Sequence, residues 1–137
     1  MKIYFSCSLT GGRADEAIYI AIVDDLSARG HHVLTAHLAR PGVMALEQTV
    51  DARRVYRRDV DWVREAQVLI AEVSTPSHGV GYEIALALGL GKPVLCLYRQ
   101  NARVSKMIIG NDEPTLTLDT YPDEAGALDV VRRFLSA

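Results

Sequence analysis

Residues 66–90 read AQVLIAEVSTPSHGVGYEIALALGL, and the order of residue types in this stretch decides the fold. The apolar run Val68-Leu69-Ile70-Ala71 has the length of a buried strand. Ser74-Thr75-Pro76-Ser77-His78-Gly79 then concentrates turn-forming residues. Val80-Gly81-Tyr82-Glu83 leads into Ile84-Ala85-Leu86-Ala87-Leu88, an apolar helix. Strand, tight loop and helix in that order form the unit in which α/β proteins place ligand sites. Ser77, Gly79 and Gly81 would let backbone N–H groups approach an anion at the start of the helix. Glu83 is predicted in the first helical turn, where the positive end of the helix dipole favours its ionised form. An ordinary Glu opening a core helix has the same spacing, so the pattern alone leaves its role open.

Working outward, residues 2–8 read as a first strand ending in Ser6-Cys7-Ser8. Leu9-Thr10-Gly11-Gly12-Arg13 follows as a glycine-containing loop, either a plain turn or a phosphate cradle of backbone amides. It lacks the full GxGxxG or GxxxxGK[ST] pattern. A helix is predicted from Ala14 to Arg29, with Ile18, Ala21, Ile22 and Leu26 buried and Gly30 as its stop. His32 to Ala36 reads as a second strand, with His37 at its carboxyl end as a ligand contact or a polar terminus. A loop over 38–44 contains Pro41-Gly42, and one long helix is predicted from Ala45 to Ala66. Its apolar stripe holds Val55, Tyr56, Val63 and Ala66, and Asp59 lies on that stripe while Asp61 points elsewhere. A carboxylate there costs several kcal/mol unless paired or protonated. Arg53, Arg54, Arg57 and Arg58 are near enough to pair with it, so Asp59 reads as a structural ion pair or as a functional acid.

Gly91-Lys92-Pro93 turns into a fourth strand, Val94 to Tyr98. A loop over 99–103, a short helical piece Val104 to Ile109 and a fifth strand Thr115 to Leu118 come next. The last helix is predicted from Asp123 to Leu135, with Leu128, Val131 and Leu135 inward and Pro122 at its start. Alternation of strands and helices argues a parallel sheet covered on both faces. The expected fold is a single Rossmann-like, flavodoxin-like α/β domain over residues 1–137. Its five strands take the order 2-1-3-4-5, with a ligand crevice between strands one and three.

The chain has 137 residues, 49% hydrophobic and 23% charged, with a formal net charge of −2. That balance gives no basic footprint for a nucleic-acid polymer or an anionic membrane. No apolar run reaches membrane-spanning length. The start of the chain reads as a strand rather than a leader, and Cys7 and Cys96 sit in apolar runs without metal-ligand spacing. Buried thiols in a reducing cytoplasm are expected, and no cofactor or metal.

Read together, Tyr4 to Arg13, Leu34-Thr35-Ala36-His37, Arg58-Asp59-Val60-Asp61-Trp62 and Ala71 to Glu83 resemble the Rcl-type 2'-deoxynucleoside 5'-monophosphate N-glycosidases. These belong to the wider nucleoside 2-deoxyribosyltransferase family. Arg103-Val104-Ser105-Lys106-Met107-Ile108 resembles a later family motif. The resemblance implies that Glu83 attacks the anomeric carbon, that Asp59 handles the proton on the base, and that Tyr4 orients nucleophile and sugar. It implies that Ser8, Ser77 and Ser105 bind the 5'-phosphate. Ser105, with Met107 in the same apolar patch, would reach in from the second subunit of a homodimer. Gly11, Gly12, Arg13, Gly79 and Gly81 belong to the expected substrate cradle, and His37 lines the site. The chain departs from the family pattern at Cys7, where the pattern has Gly, at Thr10, where it has Arg, and in a shorter loop before Arg103.

The expected chemistry is hydrolysis of the N-glycosidic bond through a covalent intermediate on Glu83, with Glu83 ionised and Asp59 raised in pKa. Two other activities share the pattern: deoxyribosyl transfer between unphosphorylated nucleosides, and cleavage of ribonucleotides such as CMP. A nucleotide-binding module without chemistry shares the fold.

Overall fold

The computed structural model describes residues 1–9 and 15–137. Its elements are β1 (Lys2–Ser6), α1 (Glu16–Ala28), β2 (His32–Val33), a 3₁₀ turn (Ala36–Ala39), α2 (Val43–Glu47), α3 (Ala52–Glu65) and β3 (Val68–Glu72). They continue with α4 (His78–Gly89), β4 (Val94–Arg99), α5 (Lys106–Ile109), β5 (Leu116–Tyr121) and α6 (Glu124–Ser136). The five strands form one parallel sheet in the order β2-β1-β3-β4-β5, as the alternation predicts.

Two cores sandwich the sheet, and strand periodicity decides which residue enters which. Ile3, Phe5, Ile70, Leu95 and Leu97 meet Tyr19, Ile22, Leu26 of α1 and Ala127, Val130, Val131 of α6. The intervening positions Tyr4, Leu69, Ala71, Val94 and Cys96 meet Val63 of α3 and Val80, Ile84 and Ala87 of α4. Both cysteines are buried thiols, and burial pushes the Cys96 thiol up to about 12. Among the described residues no helix is long and apolar enough to cross a membrane.

The predicted helix 45–66 is two helices. Thr49 turns its hydroxyl back onto the Leu46 carbonyl at 2.6 Å. Asp51 is extended, with φ −59° and ψ 136°, and α3 restarts after it. Tyr56, assigned to the buried stripe, is 52% exposed, and the buried positions of α3 are Val60 and Val63. The second strand is also shorter than predicted. Thr35 donates to the Phe5 carbonyl at 2.6 Å and accepts from the Phe5 amide at 3.0 Å, which replaces the ladder. His37 therefore sits in a 3₁₀ turn rather than at a strand end.

Candidate active site

Tyr4 and Ser6 are two positions apart on β1, so both side chains face α4. That helix begins at His78. Ser77 caps it, its hydroxyl accepting from the Val80 amide at 3.3 Å. Glu83 consequently lies in the second turn, beside the buried stripe Val80, Ile84, Ala87. The Tyr4 hydroxyl donates to one carboxylate oxygen of Glu83, and Ser6 Oγ donates to the other at 2.7 Å. Burial, aided by the nearby Glu83 charge, lifts the Tyr4 phenol far above its usual range, which keeps it a neutral donor.

The predicted first-turn position and readily ionised form of Glu83 are thus corrected. Beyond the helix end the dipole has faded, and burial pushes the carboxyl up to about 7. The neighbouring Asp59 adds to the rise, while Tyr4, Ser6 and Arg58 oppose it.

Asp59 is also raised, chiefly by burial and against the pull of Arg58, as the sequence predicted. The two carboxyls therefore both shift upward instead of being driven apart. Of the four arginines that could pair with Asp59, Arg58 does so, its Nε donating at 2.9 Å. Its other arm donates to Glu47 at 2.9 Å, and its guanidinium lies 5.0 Å from the centre of the Trp62 ring. His37 stands 3.6 Å from the same Glu47 oxygen and meets the Trp62 ring at 5.5 Å. A polar chain thus runs Asp59–Arg58–Glu47–His37 away from the carboxylate pair. Asp61 is exposed, as predicted.

Tyr4, Ser6, Asp59, Ser77, Gly79 and Glu83 line one cavity of about 170 Å³. A second, of about 150 Å³, adjoins the same two carboxylates and is walled by Tyr56, Val60, Tyr82 and Leu86. A larger space, about 430 Å³, is an apolar groove between α4 and α5 that includes Ser77, Gly81, Ser105 and Met107. Gly81, Ser105 and Met107 thus belong to this groove and are absent from the walls of the carboxylate cavity. His37 does not line that cavity either. Ser8 is fully buried, and among the described residues its hydroxyl has no hydrogen-bond partner. Gly11, Gly12 and Arg13 lie outside the described residues. Among the described residues no cluster of His, Cys, Asp and Glu is placed to hold a metal ion.

Sequence reasoning passed over Ser6, Glu47 and Trp62. Ser6 was findable, because any residue two positions from Tyr4 on a strand faces the same helix. Glu47 was hidden by the break between α2 and α3.

The nucleoside 2-deoxyribosyltransferase family model matches residues 3–119. A protein of Methanosarcina barkeri named as a candidate 2'-deoxynucleoside 5'-phosphate N-hydrolase is 40% identical over 99% of this chain and 86% of its own length. The 5-hydroxymethyl-dUMP N-hydrolase of Rattus norvegicus is 45% identical over 80% of this chain and 69% of its own. The structure of a Clostridium botulinum CMP N-glycosidase superimposes with a TM-score of 0.71 at 17% identity, covering 98% of this chain and 99% of that one. At that identity the likeness speaks for the fold.

Proposed function

The chain belongs to the nucleoside 2-deoxyribosyltransferase family, and from that premise we propose that it hydrolyses the N-glycosidic bond of 2'-deoxynucleoside 5'-monophosphates. The products are 2-deoxyribose 5-phosphate and a free base. The observation that carries this reading is the pair of carboxylates in one cavity, with both Glu83 oxygens held by donors from β1.

In the first step a Glu83 oxygen forms a bond to the anomeric carbon as the carbon–nitrogen bond breaks, and the departing base receives a proton from Asp59. Tyr4 and Ser6 fix the Glu83 carboxylate by donating to it, and both bonds favour its ionised form. In the second step water attacks the same carbon, Asp59 accepts a proton from it, and Glu83 leaves as carboxylate. The scheme uses no cofactor or metal. Ser8, whose buried hydroxyl has no partner among the described residues, and Ser77 at the α4 cap serve the 5'-phosphate, with Gly79, Gly11, Gly12 and Arg13 as expected companions. His37, tied to Glu47 and Trp62, reaches the site only through Arg58 and Asp59.

The active form in this reading is a cytoplasmic homodimer. Met107 is 83% exposed and Tyr82 54%, both lining the groove that holds Ser105, and Ile109 beside them on α5 is 47% exposed. A two-fold partner would cover this surface and contribute Ser105 and Met107 to the neighbouring site.

The test is base release from a panel of deoxynucleoside monophosphates, with deoxyguanosine and CMP included. Base should appear from the deoxynucleotides, and Glu83→Ala should release none. Turnover of that variant near the parent rate would remove Glu83 as nucleophile. Preference for deoxyguanosine would favour the transferase reading, and preference for CMP the ribonucleotide one.

A further inference from the structure

A second polar cluster lies across the sheet from Glu83 and touches nothing in the chemistry just described. Glu72, the last residue of β3, is fully buried on the α1/α6 side. Its carboxylate accepts from the Ser74 amide at 2.6 Å, from Ser74 Oγ at 2.9 Å and from the Tyr121 hydroxyl at 2.5 Å. Ser74 Oγ in turn accepts from the Arg99 amide at 2.8 Å. The Arg99 side chain then donates to Asp15, from Nε at 2.5 Å and from Nη2 at 3.4 Å. The cluster thus runs Tyr121–Glu72–Ser74–Arg99–Asp15, from the end of β5 to the start of α1.

Two details argue that this is more than a satisfied core. Asp15 occupies the N-cap position of α1, where an Asp ordinarily accepts from its own helix. It makes no such bond, and its buried carboxylate is turned to Arg99 instead. Ser74 is three residues before Ser77, the cap of α4 and a wall of the carboxylate cavity. Arg99, the last residue of β4, therefore binds the loop leading to Ser77 with its backbone and the start of α1 with its side chain. Both attachments lie at the carboxyl edge of the sheet, where β1 and β3 are neighbours and the fold opens its crevice. A buried carboxyl with three donors is held in place, because losing any one leaves a desolvated acceptor without a partner.

We propose that Glu72, Ser74, Arg99 and Asp15 are positioning residues that set where the Ser77 loop stands relative to the start of α1, and through it the grip on the substrate's 5'-phosphate. This rests on the site reading above. None of the four touches the carboxylates of the chemistry. Their loss should therefore weaken the hold on phosphate and leave the bond-breaking step largely intact.

The experiment uses Arg99→Met, at the half-exposed end of the cluster, in the full chain, with the near-isosteric Asp15→Asn and Glu72→Gln as its buried counterparts. For the preferred deoxynucleotide, KM should rise about tenfold while kcat stays within about twofold. Binding of 2-deoxyribose 5-phosphate by calorimetry should weaken by a similar factor, and Arg99→Lys should recover part of it. Cleavage of the unphosphorylated nucleoside should be unchanged. Lower thermal stability with unaltered KM and product affinity would overturn the proposal, as would an equal loss on nucleoside and nucleotide. Failure of the site reading looks different: the parent itself would release no base from any deoxynucleotide. Calorimetry would still decide the positioning role in that case, and a parent that binds no 2-deoxyribose 5-phosphate would overturn both.

Discussion

Replacing Glu83 with Gln should abolish turnover and yet make the fold more stable at neutral and alkaline pH. Burial lifts the Glu83 carboxyl from 4.5 to about 7. At roughly 1.4 kcal/mol per tenfold change in proton affinity, ionising Glu83 costs about 3 kcal/mol more in the folded protein than in the unfolded chain. The sign follows from the direction of the shift. The fold favours the protonated carboxyl, so this contribution is complete below pH 4.5 and is lost as pH rises through about 7. Gln is neutral at every pH. Its amide oxygen can accept from Tyr4, and its amide nitrogen can donate to Ser6 once that hydroxyl rotates. Parent and variant should have nearly the same stability at pH 4.5. The variant should be ahead by up to about 3 kcal/mol at pH 8.5, or roughly 10 °C in melting temperature for a chain of this size. Urea unfolding at the two pH values measures the gap directly. A difference that does not change with pH, or a variant that loses stability as pH rises, would refute the placement of Glu83 in a desolvated pocket.

The profile of kcat/KM against pH should fall on its acid side near pH 7, because Glu83 must be ionised to attack. Ser6→Ala removes a bond that favours the ionised form, so this limb should move to higher pH and activity at pH 7 should drop by about tenfold; an unmoved limb would mean that another group controls it. Arg58→Met removes the cation that opposes the rise of Asp59, so the alkaline limb should move upward if Asp59 supplies the proton to the base. A limb that stays in place in that variant would assign the proton to another group. Mixing Glu83→Ala with Ser105→Ala subunits should restore activity through hybrids holding one undamaged site, whereas hybrids that form and recover nothing would rule out a shared Ser105.

The order of the strands was legible because it rests on alternation and on the length of apolar runs, both of which survive small errors of boundary. Asp59 was legible for the same reason, as a charge on an apolar stripe. Boundaries were harder. Nothing in the pattern around Val80 says that the helix has already begun at His78, and a shift of one turn moved Glu83 from the dipole into the interior. The break between α2 and α3 depends on one side-chain bond from Thr49 and one extended residue at Asp51, neither of which disturbs periodicity. Long-range polar partners were least legible. Arg99 meets Asp15 across 84 positions of sequence, a pairing that only strand order can bring about.

Burial of the nucleophile looks at first like an obstacle to the reaction, since an ionised Glu83 is costly where it stands. The cost is specific to a site that lacks a positive neighbour at the reacting end. Arg58, the nearby cation, is already engaged by Asp59 and Glu47, and it lowers the Glu83 carboxyl less than burial raises it. Cleavage of a glycosidic bond develops positive charge on the sugar ring, next to the attacking oxygen. In a desolvated pocket that charge meets a carboxylate with no competing solvent, and the attraction is larger than it would be in water. The interaction is absent with the neutral ground-state sugar and present in the transition state, which is the condition for raising kcat rather than merely tightening binding. Tyr4 and Ser6 have a matching role, because each can donate to the carboxylate without adding a charge of its own. A lysine in place of Ser6 would ionise Glu83 fully and would lower the acid limb, yet it should slow the chemical step, because part of the carboxylate's attraction for the developing cation would already be spent.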